Sequence, residues 1–129
     1  MRFSNVVNLS LEDVILNGSM DIDKTSINNS DLKMTVNMKR ILYNGLVDSK
    51  DNCLNLYGNI DINDSKFYGS PFCEDSVIYY NGENVNSINI SNSYFNGMYS
   101  NNCINISNGF STNINSSSFE NCSEHFEGG

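Results

Sequence analysis

Short stretches of alternating apolar and polar residues recur along this chain, most sharply at Ile60-Asp61-Ile62 and Ile88-Asn89-Ile90. A period of two places every second side chain on one face, so each stretch reads as a short strand with one buried side. The stretches are bounded by Asn, Gly, Ser and Asp, which punctuate strands and favour turns. Four segments share a frame in which an apolar anchor is followed five positions later by a large apolar residue. They read TVNMKRI (Thr35–Ile41), DINDSKF (Asp61–Phe67), NISNSYF (Asn89–Phe95) and NINSSSF (Asn113–Phe119). NLSLEDV (Asn8–Val14) is a weaker fifth. The anchors Leu9, Val36, Ile62, Ile90 and Ile114 are spaced 27, 26, 28 and 24 residues apart.

A second unit alternates with the first. DNCLNL (Asp51–Leu56), DSVIYY (Asp75–Tyr80) and NNCINI (Asn101–Ile106) begin 24 and 26 residues apart. DIDKTSI (Asp21–Ile27) fits between less regularly. A repeat of this length with two or three short strands predicts a solenoid. The expected fold is all-β: a three-faced parallel β-helix of about 4–5 turns, with strands about 4.8 Å apart. A leucine-rich repeat needs an LxxLxL core that the anchors lack. A β-sandwich needs no motif recurring at one spacing.

The solenoid predicts stacked ladders. Val36, Ile62, Ile90 and Ile114 form one, and Phe67, Phe95 and Phe119 another. Ser65, Ser93 and Ser117, two residues before each Phe, form a small inward ladder. Asp61, Asn89 and Asn113 face outward. Corners want residues that tolerate the left-handed region, where Asn is the best choice after Gly, and Asn side chains in register can bond along the stack.

This architecture gives the composition its meaning. The chain has 24 Asn and 19 Ser among 129 residues and no Ala, Gln or Trp. Leu, Ile, Val and Phe still reach 26% (34 of 129), above the roughly 20% floor for disorder, so the Asn and Ser form the skin of an ordered coil. The absent Ala fits a chain with no helices to fill. One domain spans 1–129, with an irregular first turn over 7–33, regular turns over 34–129 and a cut at Gly128-Gly129.

Charge narrows the partners. Fifteen acids against seven bases give a net charge of −8, which argues against nucleic acid and anionic membranes. No apolar run is long enough to span a bilayer. The N-terminus lacks an uninterrupted signal-peptide core, so the chain reads as a piece of a longer secreted rod. Cys53, Cys73, Cys103 and Cys122 lack zinc spacing. Cys53 and Cys103 share one repeat slot two turns apart, too far for a bridge. Free, partly buried thiols are therefore expected, with two disulfides as the alternative and Cys73 and Cys122 undecided.

The alternation of the two units resembles the polymorphic outer membrane protein repeat, in which a GGAIYI-type segment alternates with I-x-I-x-x-S-x-F-x-x-N. NNCINI, DSVIYY and DNCLNL stand at the first segment. INISNSYF, IDINDSKF and NINSSSF stand at the second, and FENCSEHFEGG (Phe119–Gly129) matches the junction. Two departures stand out: Gly-Gly survives only at Gly128 and Gly129, and Ser70, Met98 and Cys122 replace the Asn three after Phe. The resemblance implies a right-handed, single-stranded surface β-helix related to pectate-lyase-like solenoids. It is expected to act without catalysis as an extracellular adhesin, scaffold or binding surface, with a carbohydrate-binding or polysaccharide-cleaving β-helix as the alternative.

The candidate chemistry is sparse. Asp21, Asp23, Asp61 and Asp64 read first as a solvated outer face, with Asp21/Asp23 and Asp61/Asp64 as weak calcium candidates. Nothing basic recurs beside them; Arg40 and Lys66 stand isolated and Arg2 is terminal. Tyr79, Tyr80, Tyr94 and Tyr99 are glycan-contact candidates, against ordinary strand packing. His125 reads as a loop residue. Eight Asn-x-Ser sequons (Asn8, Asn17, Asn28, Asn63, Asn89, Asn105, Asn115 and Asn121) are open to glycosylation, though this composition produces such matches by chance. No catalytic residue, cofactor or resident metal is expected. Unpaired edges at the solenoid ends suggest end-to-end self-association.

Overall fold

A computed structural model describes residues 2–3, 8–23, 34–45, 53–73, 75–82 and 86–123. All regular structure among them is β. The chain winds through five coils of three strands. The first is β1 (Arg2–Phe3), β2 (Asn8–Glu12) and β3 (Ile15–Asn17), and the second β4 (Met20–Ile22), β5 (Thr35–Lys39) and β6 (Leu42–Asn44). The third is β7 (Leu54–Leu56), β8 (Asn59–Asn63) and β9 (Lys66–Tyr68). The fourth is β10 (Ser76–Asn81), β11 (Ser87–Ser91) and β12 (Tyr94–Asn96), and the fifth β13 (Asn102–Asn108), β14 (Ser111–Asn115) and β15 (Ser118–Glu120). Each strand pairs in parallel with its equivalent one coil away, so three five-stranded sheets wrap one core as a β-solenoid.

The register refines the sequence alignment. Ile62 pairs with Ile90 and Ile90 with Ile114, as aligned. Val36 instead pairs with Ile60, and Met38 with Ile62. Leu9 follows Val36, so Leu11 and Met38 occupy the anchor ladder. A slip of two residues keeps each side chain on its own face, which is why apolar periodicity alone could not expose it. With this register the segments starting at Asn8, Thr35, Asn59, Ser87 and Ser111 align without a gap from the second sheet into the third. The first coil is as regular there as the others. DNCLNL, DSVIYY and NNCINI pair in the expected register.

The corner between those two sheets uses a left-handed residue in every coil: Asp13, Arg40, Asp64, Asn92 and Ser116, with φ between 49° and 55°. Only one of the five is Asn, contrary to expectation. The corner amides stay in the ladder, as in Arg40 N–H to Asn63 O at 3.1 Å, which offsets the cost of the left-handed conformation. Asn is instead stacked on the faces, where Asn44 donates to Asn17, Asn108 to Asn81 and Asn113 to Asn89, each at 3.1 Å.

Inside, Phe67, Phe95 and Phe119 stack with centroids 4.8 and 4.9 Å apart and planes within 6°, at the strand spacing itself. Tyr43 extends the column toward Leu16. Ser65 and Ser93 are buried beside it. Each serine hydroxyl donates to the carbonyl two residues back, as in Ser93 to Ser91, and accepts an N–H from the coil before, as in Ser65 N–H to Ser93 at 3.2 Å. Ser117 continues the pattern against Ser93 N–H. A buried hydroxyl is tolerated because both of its capacities are used.

All four cysteines are bonded, as Cys53–Cys73 and Cys103–Cys122, with Cα atoms 5.1 and 5.3 Å apart. This corrects the expectation of free thiols. Cys53 and Cys103 do sit two coils apart, but each pairs with the cysteine that closes its own coil. Gly45 makes room: a Cβ there would lie 2.9 Å from both sulfurs of the first bridge. It belongs to a row the sequence reading missed, with Gly18, Gly45, Gly69 and Gly97 each directly following a third-sheet strand. The recurring Asn-Gly or Tyr-Gly after the third-sheet strand was the available signal.

Candidate functional site

The solenoid's working surface is its outside, since the interior is filled. On the second sheet every outward residue is polar, from Asn8, Ser10 and Glu12 to Ser111, Asn113 and Asn115. These groups largely satisfy one another. Ser111 donates to Ser87 at 2.9 Å, Asn63 donates to Asp61 at 3.1 Å, Thr35 donates to Asn8 and Ser91 to Asn63.

The acids predicted as calcium ligands are scattered over this surface. Asp21, on the first sheet, takes a hydrogen bond from Asn55, and Asp23 pairs with Arg2. Asp61 faces outward from β8, and Asp64 occupies the next left-handed corner. Among the described residues no three His, Cys, Asp or Glu side chains converge on one point.

Arg40, isolated in sequence, is not isolated in space. Its guanidinium bonds Glu12 and grips both oxygens of Asp13, one at 2.8 Å. Consecutive coils bring residues 27 and 28 positions apart into contact. The Arg40 hydrogen bond holds the Asp13 carboxyl below the usual range, and the same bond raises the guanidinium. A general acid for glycoside cleavage needs the opposite, a carboxyl held protonated.

The four candidate tyrosines separate. Tyr80 is fully buried and donates to Gly58 O at 2.8 Å, so it belongs to the core and cannot contact a glycan. Tyr79 lies half-buried on the first sheet and Tyr99 projects from the loop after β12, 80% exposed. Tyr94 lies on the third sheet with its ring tilted against Tyr68 at 5.7 Å. Its hydroxyl donates to Glu120 at 2.8 Å, which raises its pKa, and accepts from Asn96 at 3.0 Å. His125 and Gly128-Gly129 lie outside the described residues.

The concavity at the corner of the second and third sheets was not foreseen. It is a shallow groove of about 450 Å³ lined by Asp64, Lys66, Asn92, Tyr94, Ser116 and Ser118, with Ser65 and Ser93 as its floor. The corner position beneath it is Val14 and Ile41 in the first two coils and Ser65, Ser93 and Ser117 in the last three.

Among the described residues no helix is long and apolar enough to cross a membrane. The fold and this surface define a three-faced parallel β-solenoid with a hydrogen-bonded polar skin. No protein-family model, curated protein or solved structure matches the chain.

Proposed function

We propose that this chain is a non-catalytic binding or scaffold module of an extracellular or cell-surface β-helix protein, of the kind whose repeats resemble those of polymorphic outer membrane proteins. The observation that carries the reading is the outer surface: a second-sheet face of mostly Asn and Ser over a filled core, with the neighbouring acids Glu12 and Asp13 both bonded to Arg40. Such a face presents shape and hydrogen bonds without a poised acid or base. Two disulfides support the location, because they form and persist in oxidising compartments. Net charge −8 supports partners other than nucleic acid.

Membrane-impermeant biotinylation of intact producing cells tests the location. Labelling without lysis is expected, and labelling only after lysis would contradict the surface reading.

A further inference from the structure

We propose that the corner groove over the third to fifth coils binds a neutral, unbranched oligosaccharide lying along the solenoid axis. This rests on the non-catalytic binding reading and names its ligand.

Three observations carry it. The first is spacing: equivalent residues of three consecutive coils line the groove, Asp64, Asn92 and Ser116 in one row and Lys66, Tyr94 and Ser118 in the next. It therefore repeats at the strand spacing over roughly 10 Å, which suits a ligand that is itself a repeat. Its volume of about 450 Å³ falls within the range of small-molecule sites.

The second is unused hydrogen-bonding capacity. The floor serines are committed to backbone groups, and most of the second-sheet face is bonded to itself. By contrast the side chains of Asp64, Lys66, Asn92, Ser116 and Ser118 have no hydrogen-bond or ion-pair partner among the described residues. The same corner in the first two coils is closed by Arg40 with Glu12 and Asp13. Open donors and acceptors therefore gather in the groove, where Asp64 can accept from two neighbouring hydroxyls and Lys66 and Asn92 can donate.

The third is Tyr94. Its hydroxyl is held by Glu120 and Asn96 and its ring is tilted against Tyr68, so an aromatic side chain is held in place where it lines the groove. A ring with an apolar face and polar edges, as in a hexose or pentose, fits such a platform. One carboxylate and one ammonium leave the rim uncharged overall, and the −8 of the chain disfavours acidic polysaccharides.

The test is an amide NMR titration of the full disulfide-bonded chain with cellohexaose, xylohexaose, mannohexaose and, as the acidic comparison, hexagalacturonate. At least one neutral probe is expected to shift amides at 64–66, 92–94 and 116–118 selectively. Tyr94→Ala and Asp64→Ala should each weaken binding about tenfold, comparable to losing one stacking or charged contact. Asn89→Ala, on the second-sheet face outside the groove, should stay near wild type. The proposal is overturned if no neutral probe shifts these amides, if shifts fall elsewhere, or if hexagalacturonate binds as well as the best neutral probe. Mass spectrometry of the titrated probe separates the two readings. Cleavage would overturn the non-catalytic function while leaving the groove, whereas absent binding by the folded chain removes the groove and leaves the scaffold.

Discussion

The Cα atoms of Cys53 and Cys73 lie 5.1 Å apart although 20 residues separate them in sequence. That distance is close to the spacing of adjacent strands, so the bond fastens a coil to itself across one rung. Cys103 and Cys122 repeat the relationship two coils later.

Each bridge closes a loop of about 20 residues, which in the chain-entropy view restricts the unfolded chain by about 3 kcal/mol. The double variant Cys53→Ser/Cys73→Ser should lose about that much in urea denaturation. Cys103→Ser/Cys122→Ser should additionally expose β13–β15 to hydrogen exchange, because the fifth coil has a described neighbour on one side only. Unchanged exchange there would show that the second bridge does not hold the last coil.

The turn Gly97–Ser100 carries two consecutive left-handed residues, Met98 at φ 53° and Tyr99 at φ 61°, closed by Ser100 N–H to Gly97 O at 3.0 Å. This is the backbone of a type I′ turn, which favours Asn-Gly. Replacing Met98-Tyr99 by Asn-Gly should raise stability by about 1–2 kcal/mol, read as a higher urea midpoint. A lower midpoint would mean that the two exposed side chains stabilise the turn by contacts that outweigh its strain.

Tyr43 and Tyr80 are buried with their hydroxyls bonded to Gly18 O and Gly58 O. Burial raises both phenols, Tyr80 to about 12. A raised folded-state pKa contributes stability that is complete below the unfolded value near 10 and is lost as pH climbs toward the folded value. Stability attributable to these tyrosines should thus be flat through neutral pH and fall above about pH 10. In an ultraviolet titration both should ionise only as near-ultraviolet dichroism collapses; ionisation in the intact fold at pH 10 would contradict their burial.

The serine ladder gives a matched pair of variants. Ser93→Ala removes the acceptor of the Ser65 N–H, stranding a buried donor at about 1–3 kcal/mol. Ser118→Ala, at an exposed position with no hydroxyl partner among the described residues, should stay within about 0.5 kcal/mol of wild type. Equal effects, measured by denaturation, would mean the ladder bonds contribute nothing.

Much of the fold was legible because a solenoid writes one spatial rule many times. Ile62, Ile90 and Ile114 recur in sequence because they stack in space, and the phenylalanines do the same. The ladder slip at Val36 was invisible because moving by two residues preserves the face. The disulfides were misread by comparing Cys53 with Cys103, in the same slot, when the informative intervals were the near-equal 20 and 19 that close single coils. Arg40 looked solitary because its partners are a full coil away. The groove was least legible, since its lining rows, Asp64 with Asn92 and Ser116 and Lys66 with Tyr94 and Ser118, share no residue type and meet only through the coil register.

The coil register, on which the bridges, the ladders and the groove all depend, is tested most directly by peptide mapping of the unreduced protein. The expected linkages are Cys53–Cys73 and Cys103–Cys122 alone. A Cys53–Cys103 or Cys73–Cys122 linkage in the folded monomer would contradict the register, because it would join positions two coils apart.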